Sequence, residues 1–161
     1  MPTKHDNGIC ISMIIFQPHK AREVYSKKYI HPDEEPFFIR GENYPVLKVK
    51  ENNIGFAICY ELTIPQHSEN AFNNGAEIYI ASVAKSANGV EKAEKTLSEI
   101  AGKYSMPVLF SNCLGPSDDF VSAGKTSVWN NRGLLLRQLN DTDEGIIIYD
   151  TVTQDVIEKI L

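Results

Sequence analysis

Asn53-Ile-Gly-Phe-Ala-Ile-Cys-Tyr-Glu-Leu-Thr-Ile-Pro65 is the stretch on which the rest of the chain turns. Ile54 to Ile58 is a short run rich in apolar residues, of the kind that fills a strand covered on both faces. It ends on a cysteine, a polar turn and a proline. Cys59 thus stands where a buried strand hands over to the next element. The spacing predicts a helix from Pro65 to Asn73, stopped by Asn73-Asn74-Gly75. The free amides and positive dipole end of a helix close to the sulfur favour thiolate over thiol, which is how a nucleophile is built. The plainer role for Cys59 is that of a small apolar core residue.

Outward from this stretch, the pattern is that of one α/β domain. Ile9 to Phe16 and Ala21 to Lys27 read as a strand pair around the turn Gln17-Pro-His-Lys20, and Val46 to Val49 pairs with Ile54 to Ile58. Between the pairs, His31-Pro-Asp-Glu-Glu-Pro36 lacks two backbone donors, so residues 28 to 45 form a long loop, anchored by Phe37 and Phe38. Downstream, Glu77 to Ser82 reads as a strand. Val90, Ala93, Leu97, Ile100, Ala101 and Tyr104 mark one face of a helix, with Asn88 and Glu91 spaced like a capping box. Val108 to Ser111, Thr126 to Trp129, Leu134 to Leu139 and Gly145 to Tyr149 are further strands, with a loop through Gly115 to Asp119 and a hairpin turn at Asn130 to Gly133. Thr151 to Leu161 is a C-terminal tail whose apolar residues cannot be buried alone.

Composition narrows the function. At 161 residues, 42% hydrophobic and 23% charged, the chain fits a single globular domain. A net charge of −5 argues against a nucleic-acid or anionic-membrane surface, which needs concentrated Lys and Arg. The apolar runs are too short to span a bilayer and no leader is evident, so the expectation is a soluble, cytoplasmic protein. Cys10, Cys59 and Cys113 are odd in number and widely spaced, which suits reduced thiols. Dinucleotide, phosphate-loop, zinc-hydrolase and serine-hydrolase motifs are missing, and nothing calls for a metal or an organic cofactor. His5, His19, His31 and His67 read as solvated residues of turns and helix starts.

Lysine is the better partner for a cysteine. Tyr25-Ser-Lys-Lys-Tyr-Ile-His-Pro32 closes a strand with two adjacent lysines, and strand alternation lets at most one enter a site. An ammonium close to Cys59 favours the thiolate and later stabilises an oxyanion on a substrate carbon. It needs a carboxylate to hold it, and Asp33, Glu34 and Glu35 follow at once.

Tyr25-Ser-Lys27, Glu35-Pro-Phe-Phe-Ile-Arg-Gly41, Ile54 to Pro65 and Asn74-Gly-Ala-Glu-Ile-Tyr-Ile-Ala-Ser82, in this order and spacing, resemble the carbon-nitrogen hydrolases of the nitrilase superfamily. Ser111-Asn112 and Ala123-Gly-Lys-Thr-Ser127 are similar to that family's later strands. The resemblance implies a nitrilase-like four-layer α-β-β-α sandwich over residues 1–161, incomplete at its N-terminus. It implies a Glu-Lys-Cys set in which Cys59 is the nucleophile, Lys27 the oxyanion-stabilising lysine and Glu35 the additional glutamate that positions substrate and lysine. The Tyr60 backbone N–H would join Lys27 in the oxyanion hole. It further implies hydrolysis of a non-peptide C–N bond in a small amide through a thioester, no metal or organic cofactor, and a homo-oligomer. The family's general base, a glutamate upstream of the lysine, has no counterpart, because Asp6 lies in a turn and Glu23 sits in a strand too near Lys27. The expectation is therefore a chain that lacks the family's first strands, or one that is a catalytically impaired pseudoenzyme or an assembly subunit.

Overall fold

Alternation of side chains along the central strands sorts the protein into two stacked sheets with helices on the outer face of one. The computed structural model of the protein describes residues 1–42, 46–49 and 51–161. β1 (Pro2–His5), β2 (Gly8–Ile15) and β3 (Glu23–Ser26) form an antiparallel three-stranded sheet in that spatial order. β4 (Val46–Val49) and β5 (Asn52–Ile58) are an antiparallel pair. A 3-10 turn (Cys59–Thr63) and helix α1 (Pro65–Asn73) then lead to β6 (Ile78–Val83), and helix α2 (Ala87–Tyr104) leads to β7 (Val108–Asn112). A hairpin of β8 (Leu114–Ser117) and β9 (Phe120–Ala123) follows, then β10 (Ser127–Trp129) and β11 (Leu135–Gln138). The second sheet runs β11-β10-β7-β6-β5-β4, with β5, β6 and β7 parallel. β12 (Gly145–Tyr149) and β13 (Val156–Ile160) close the chain as an antiparallel ribbon.

The period of two on β5 decides the layering. Ile54, Phe56 and Ile58 cluster with Tyr25, Leu47, Met13 and Ile15, which places them against the three-stranded sheet. Ala57 clusters instead with Ala71, Leu97, Ala101 and Tyr79, on the side of the helices. Gly55 lets α1 come close, since a Cβ there would lie 3.1 Å from Ala71 Cβ and 3.2 Å from Ala76 Cβ. Helices, six-stranded sheet and three-stranded sheet are three consecutive layers of the expected α-β-β-α order. The apolar face of α2 fills the helix-side core with Val90, Ala93, Leu97, Ile100 and Ala101. Among the described residues no helix is long and apolar enough to cross a membrane.

Several local expectations are corrected. Asn88 is not a cap: α2 begins at Ala87 with Ser86 at its N-cap. Phe37 is 72% exposed and anchors nothing; the loop is pinned instead by Ile39, whose N–H donates to the Ile9 carbonyl at 2.8 Å. The last residues of that loop, 43–45, lie outside the described residues. Gly115 to Ser117 is no loop but part of β8, and Asp118-Asp119 is the turn of the β8–β9 hairpin, with Asp118 at φ 53°. In the tail Val156 to Ile160 pairs with β12, and Val152, Ile157, Ile160 and Leu161 stay exposed.

Candidate active site

Cys59 is the first residue of the 3-10 turn, at the C-terminal end of β5, and its φ is 48°. A side-chain-bearing residue in the left-handed region costs about 1–2 kcal/mol, so the surroundings must hold it there. They do so from both sides. Ile58 N–H donates to Glu61 Oε2 at 2.8 Å, Ile64 N–H to the Glu61 carbonyl at 3.1 Å, and Thr63 Oγ1 to the Tyr60 carbonyl at 2.7 Å. The element that follows the sulfur is this turn, and α1 starts only at Pro65. Of the three thiols Cys10 is buried, Cys59 half-buried and Cys113 exposed.

Lys27 follows the last residue of β3 and has no exposed surface. Lys28 is only half-buried. Its Nζ donates to Glu34 Oε1 at 2.8 Å and Oε2 at 2.6 Å. The paired carboxylate is therefore Glu34, and the expectation of Glu35 is corrected: Glu35 faces solvent and holds Arg40 at 3.1 Å. The cause lies in the coiling of the loop. Glu34 and Glu35 both donate their N–H to the His31 carbonyl, while Phe37 and Phe38 bond back to Glu34, a helical turn in which neighbours point about 100° apart. Glu34 Oε2 also accepts from His31 N–H at 2.8 Å, and the His31 ring meets the Tyr60 ring edge-on at 4.9 Å. The lysine's carboxylate and the residue after the cysteine thus share one neighbour. Among the described residues Glu34 is the carboxylate that reaches Lys27 Nζ; Asp6 is exposed, and Glu23 accepts from Gln17 at 2.9 Å.

Glu61 is the residue that sequence reasoning passed over. It has no exposed surface, and its Oε1 accepts from Tyr25 Oη at 2.5 Å, Lys28 N–H at 2.7 Å and Tyr29 N–H at 3.2 Å. With Ile58 N–H on Oε2, four donors converge on one carboxylate. Burial pushes its carboxyl above the usual range, and those hydrogen bonds oppose the rise. His67 on α1 is equally buried, correcting the expectation of a solvated residue. Burial, helped by the Lys28 charge, lowers its imidazole to about 4, so at neutral pH it is uncharged and its 3.6 Å approach to Glu61 is not an ion pair. The proton positions follow from the partners. Tyr25 donates to Glu61 and so accepts from His67 Nε2 at 3.0 Å, leaving Nδ1 to accept from Tyr79 Oη at 2.8 Å. Burial, then the Glu61 charge, holds both tyrosines in the phenol form. A polar residue two positions after the cysteine, in a turn flanked by apolar residues, was the available signal. Among the described residues no group of three His, Cys, Asp or Glu side chains is arranged to hold a metal ion.

The model of the carbon-nitrogen hydrolase family matches residues 2–160. No curated protein sequence matches the chain. Solved structures do. An amidase from Nesterenkonia sp. AN1 superposes with a TM-score of 0.79 at 21% identity, over 88% of this chain and 57% of that one. Variants of that amidase are described in complex with butyramide and with acrylamide added at the active-site cysteine. A carbon-nitrogen hydrolase superfamily protein from Xanthomonas campestris, with an arsenic adduct in its active site, gives 0.81 at 15% identity over 99% and 60%. A glutamine-dependent NAD+ synthetase from Acinetobacter baumannii gives 0.85 at 18% identity over 99% and 32%. At such identities likeness establishes the fold alone, which is that of the nitrilase superfamily. The chain spans about three fifths of the length of the amidase structures that it matches.

Proposed function

Because the chain belongs to the carbon-nitrogen hydrolase family, we propose that it serves hydrolysis of a non-peptide C–N bond in a small amide, with Cys59 as nucleophile. The observations that support this reading are the left-handed Cys59 at the end of β5 and the buried, carboxylate-held Lys27 at the end of β3, their strand ends joined through Glu61. The Cys59 sulfur attacks the amide carbon, and the carbonyl electrons move to an oxygen stabilised by the Lys27 ammonium and the Tyr60 N–H. The C–N bond then breaks, the nitrogen takes a proton and leaves as ammonia or an amine, and water hydrolyses the thioester to release the acid. Glu34 holds Lys27 in place through both carboxylate oxygens. No organic cofactor enters this scheme, and the expected location is the cytoplasm.

A second reading is favoured by one observation: among the described residues Glu34 alone pairs with Lys27, and it is already occupied. A second carboxylate for proton transfer would then come from outside the described residues, and general acid-base catalysis, worth on the order of a hundredfold to ten-thousandfold, would depend on it. Assembly with a second copy fits the apolar outer face of the closing ribbon, where Ile146, Ile148 and Ile157 are exposed. The test is ammonia release from a panel of small aliphatic amides by the chain and by Cys59→Ala. Turnover that requires Cys59 is expected; turnover that survives Cys59→Ala overturns the assignment, and turnover by the chain alone overturns the need for a further carboxylate.

A further inference from the structure

Lys27 and Cys59 stand at the ends of strands that belong to different sheets. β3 lies in the three-stranded sheet and β5 in the six-stranded one, so no ladder of backbone hydrogen bonds fixes one against the other. A side chain does. The two oxygens of Glu61 take the Lys28 and Tyr29 N–H groups just past Lys27 on one side and the Ile58 N–H just before Cys59 on the other. We infer that Glu61 is a positioning residue, a carboxylate clamp that sets the distance and facing of Lys27 and Cys59. This inference rests on reading those two residues as the reacting pair.

The chemistry of the clamp explains why a carboxylate stands there. Both oxygens must accept, because donors approach from two strand ends, and a glutamine would turn an N–H₂ toward one of them. The buried charge is met by hydrogen bonds alone, and a directed chain backs it. Tyr79 Oη donates to His67, His67 to Tyr25 and Tyr25 to Glu61, so every proton points toward the carboxylate. The chain starts on β6 and α1 and reaches the clamp through Tyr25 of β3, which fixes its rotamer. Glu61 touches no reacting atom in this scheme and acts through backbone position.

Second-order iodoacetamide alkylation of Cys59, read by peptide mass spectrometry against Cys113 of the same molecule, tests the clamp. The profile runs from about pH 6 to 9 in the parent, Glu61→Gln and Glu61→Asp. Charge and position predict opposite signs. Removing a nearby negative charge favours the thiolate and speeds alkylation, whereas a lost clamp lets Lys27 and Cys59 drift apart and slows it by about tenfold or more. The expected result is slowing in Glu61→Gln at unchanged Cys113 rate, with partial recovery in Glu61→Asp. A folded Glu61→Gln whose Cys59 rate and profile match the parent, or which only accelerates, overturns the inference. Should Glu61→Gln fail to fold, Tyr25→Phe removes one donor from Oε1 and leaves the amides; a Cys59 rate slowed about threefold supports the clamp and an unchanged one overturns it. If the parent Cys59 is no faster than Cys113 at neutral pH, the nucleophile assignment falls, and the clamp with it. If Cys59 is fast and indifferent to Glu61, the clamp falls alone.

Discussion

Glu34→Gln and Glu35→Gln form a pair of experiments in which adjacent, chemically identical changes should differ by several kcal/mol. Lys27 has no exposed surface, and its ammonium is bonded to both oxygens of Glu34. Removing one partner of a buried ion pair strands the other charge and costs about 3–5 kcal/mol. The Glu34 side chain keeps 28% of its surface, so water can replace part of what is lost and the low end, about 3 kcal/mol, applies. In a chain of this size each kcal/mol moves the melting midpoint by roughly 2–4 °C, so Glu34→Gln should melt about 6–12 °C below the parent. Glu35→Gln breaks a pair whose side chains are 70% and 54% exposed. It should stay within about 4 °C, because exposed pairs contribute about 0–1 kcal/mol. Thermal unfolding followed by circular dichroism reads both. A larger shift in Glu35→Gln than in Glu34→Gln, or no shift in either, would refute the pairing of Lys27 with Glu34.

Two further predictions concern strain and pH. At φ 48° glycine is freer of steric cost than any residue with a Cβ, so Cys59→Gly should be more stable than Cys59→Ala by about 1 kcal/mol in urea unfolding; equal stability would mean that the position is not strained. His67 has its imidazole held at about 4 in the folded state against 6.5 when free, so below pH 6.5 the unfolded chain takes up a proton that the folded one refuses. The stability present above that pH is therefore lost as pH falls toward 4, by up to about 3 kcal/mol, and levels off below. His67→Gln should flatten that slope. An identical slope in the variant would show that His67 is not its source.

The segment from β5 through α1 was legible because each local signal agreed. A short apolar run marked β5, and a proline at the first helical position with Asn73-Asn74-Gly75 at the end gave bounds for α1 that the structure repeats, Pro65–Asn73. The choice between Glu34 and Glu35 was not legible, because both lie in a loop with no period, and a single helical turn there decides which carboxylate turns inward. Glu61 and His67 were hidden for a related reason. Their residue types usually mark the surface, and what buries them is a network whose members, Tyr25, Glu61, His67 and Tyr79, come from four separate elements. Ribbon strand β13 escaped notice because its apolar residues do not alternate strictly and its order comes from β12. The strand ends that carry Cys59 and the two adjacent lysines were visible in the apolar runs, whereas the choice of Lys27 over Lys28 and the two-sheet arrangement came from the family resemblance.

The ammonium of Lys27 lies under a lid of its own fold, sealed by the loop that carries Glu34. An amine-directed label that decorates Lys95 and Lys103 within seconds should therefore be refused by Lys27 until that loop lifts. The lag before Lys27 is marked is a clock for how often the protein opens, read on the residue that the proposed chemistry must bring to a substrate oxygen.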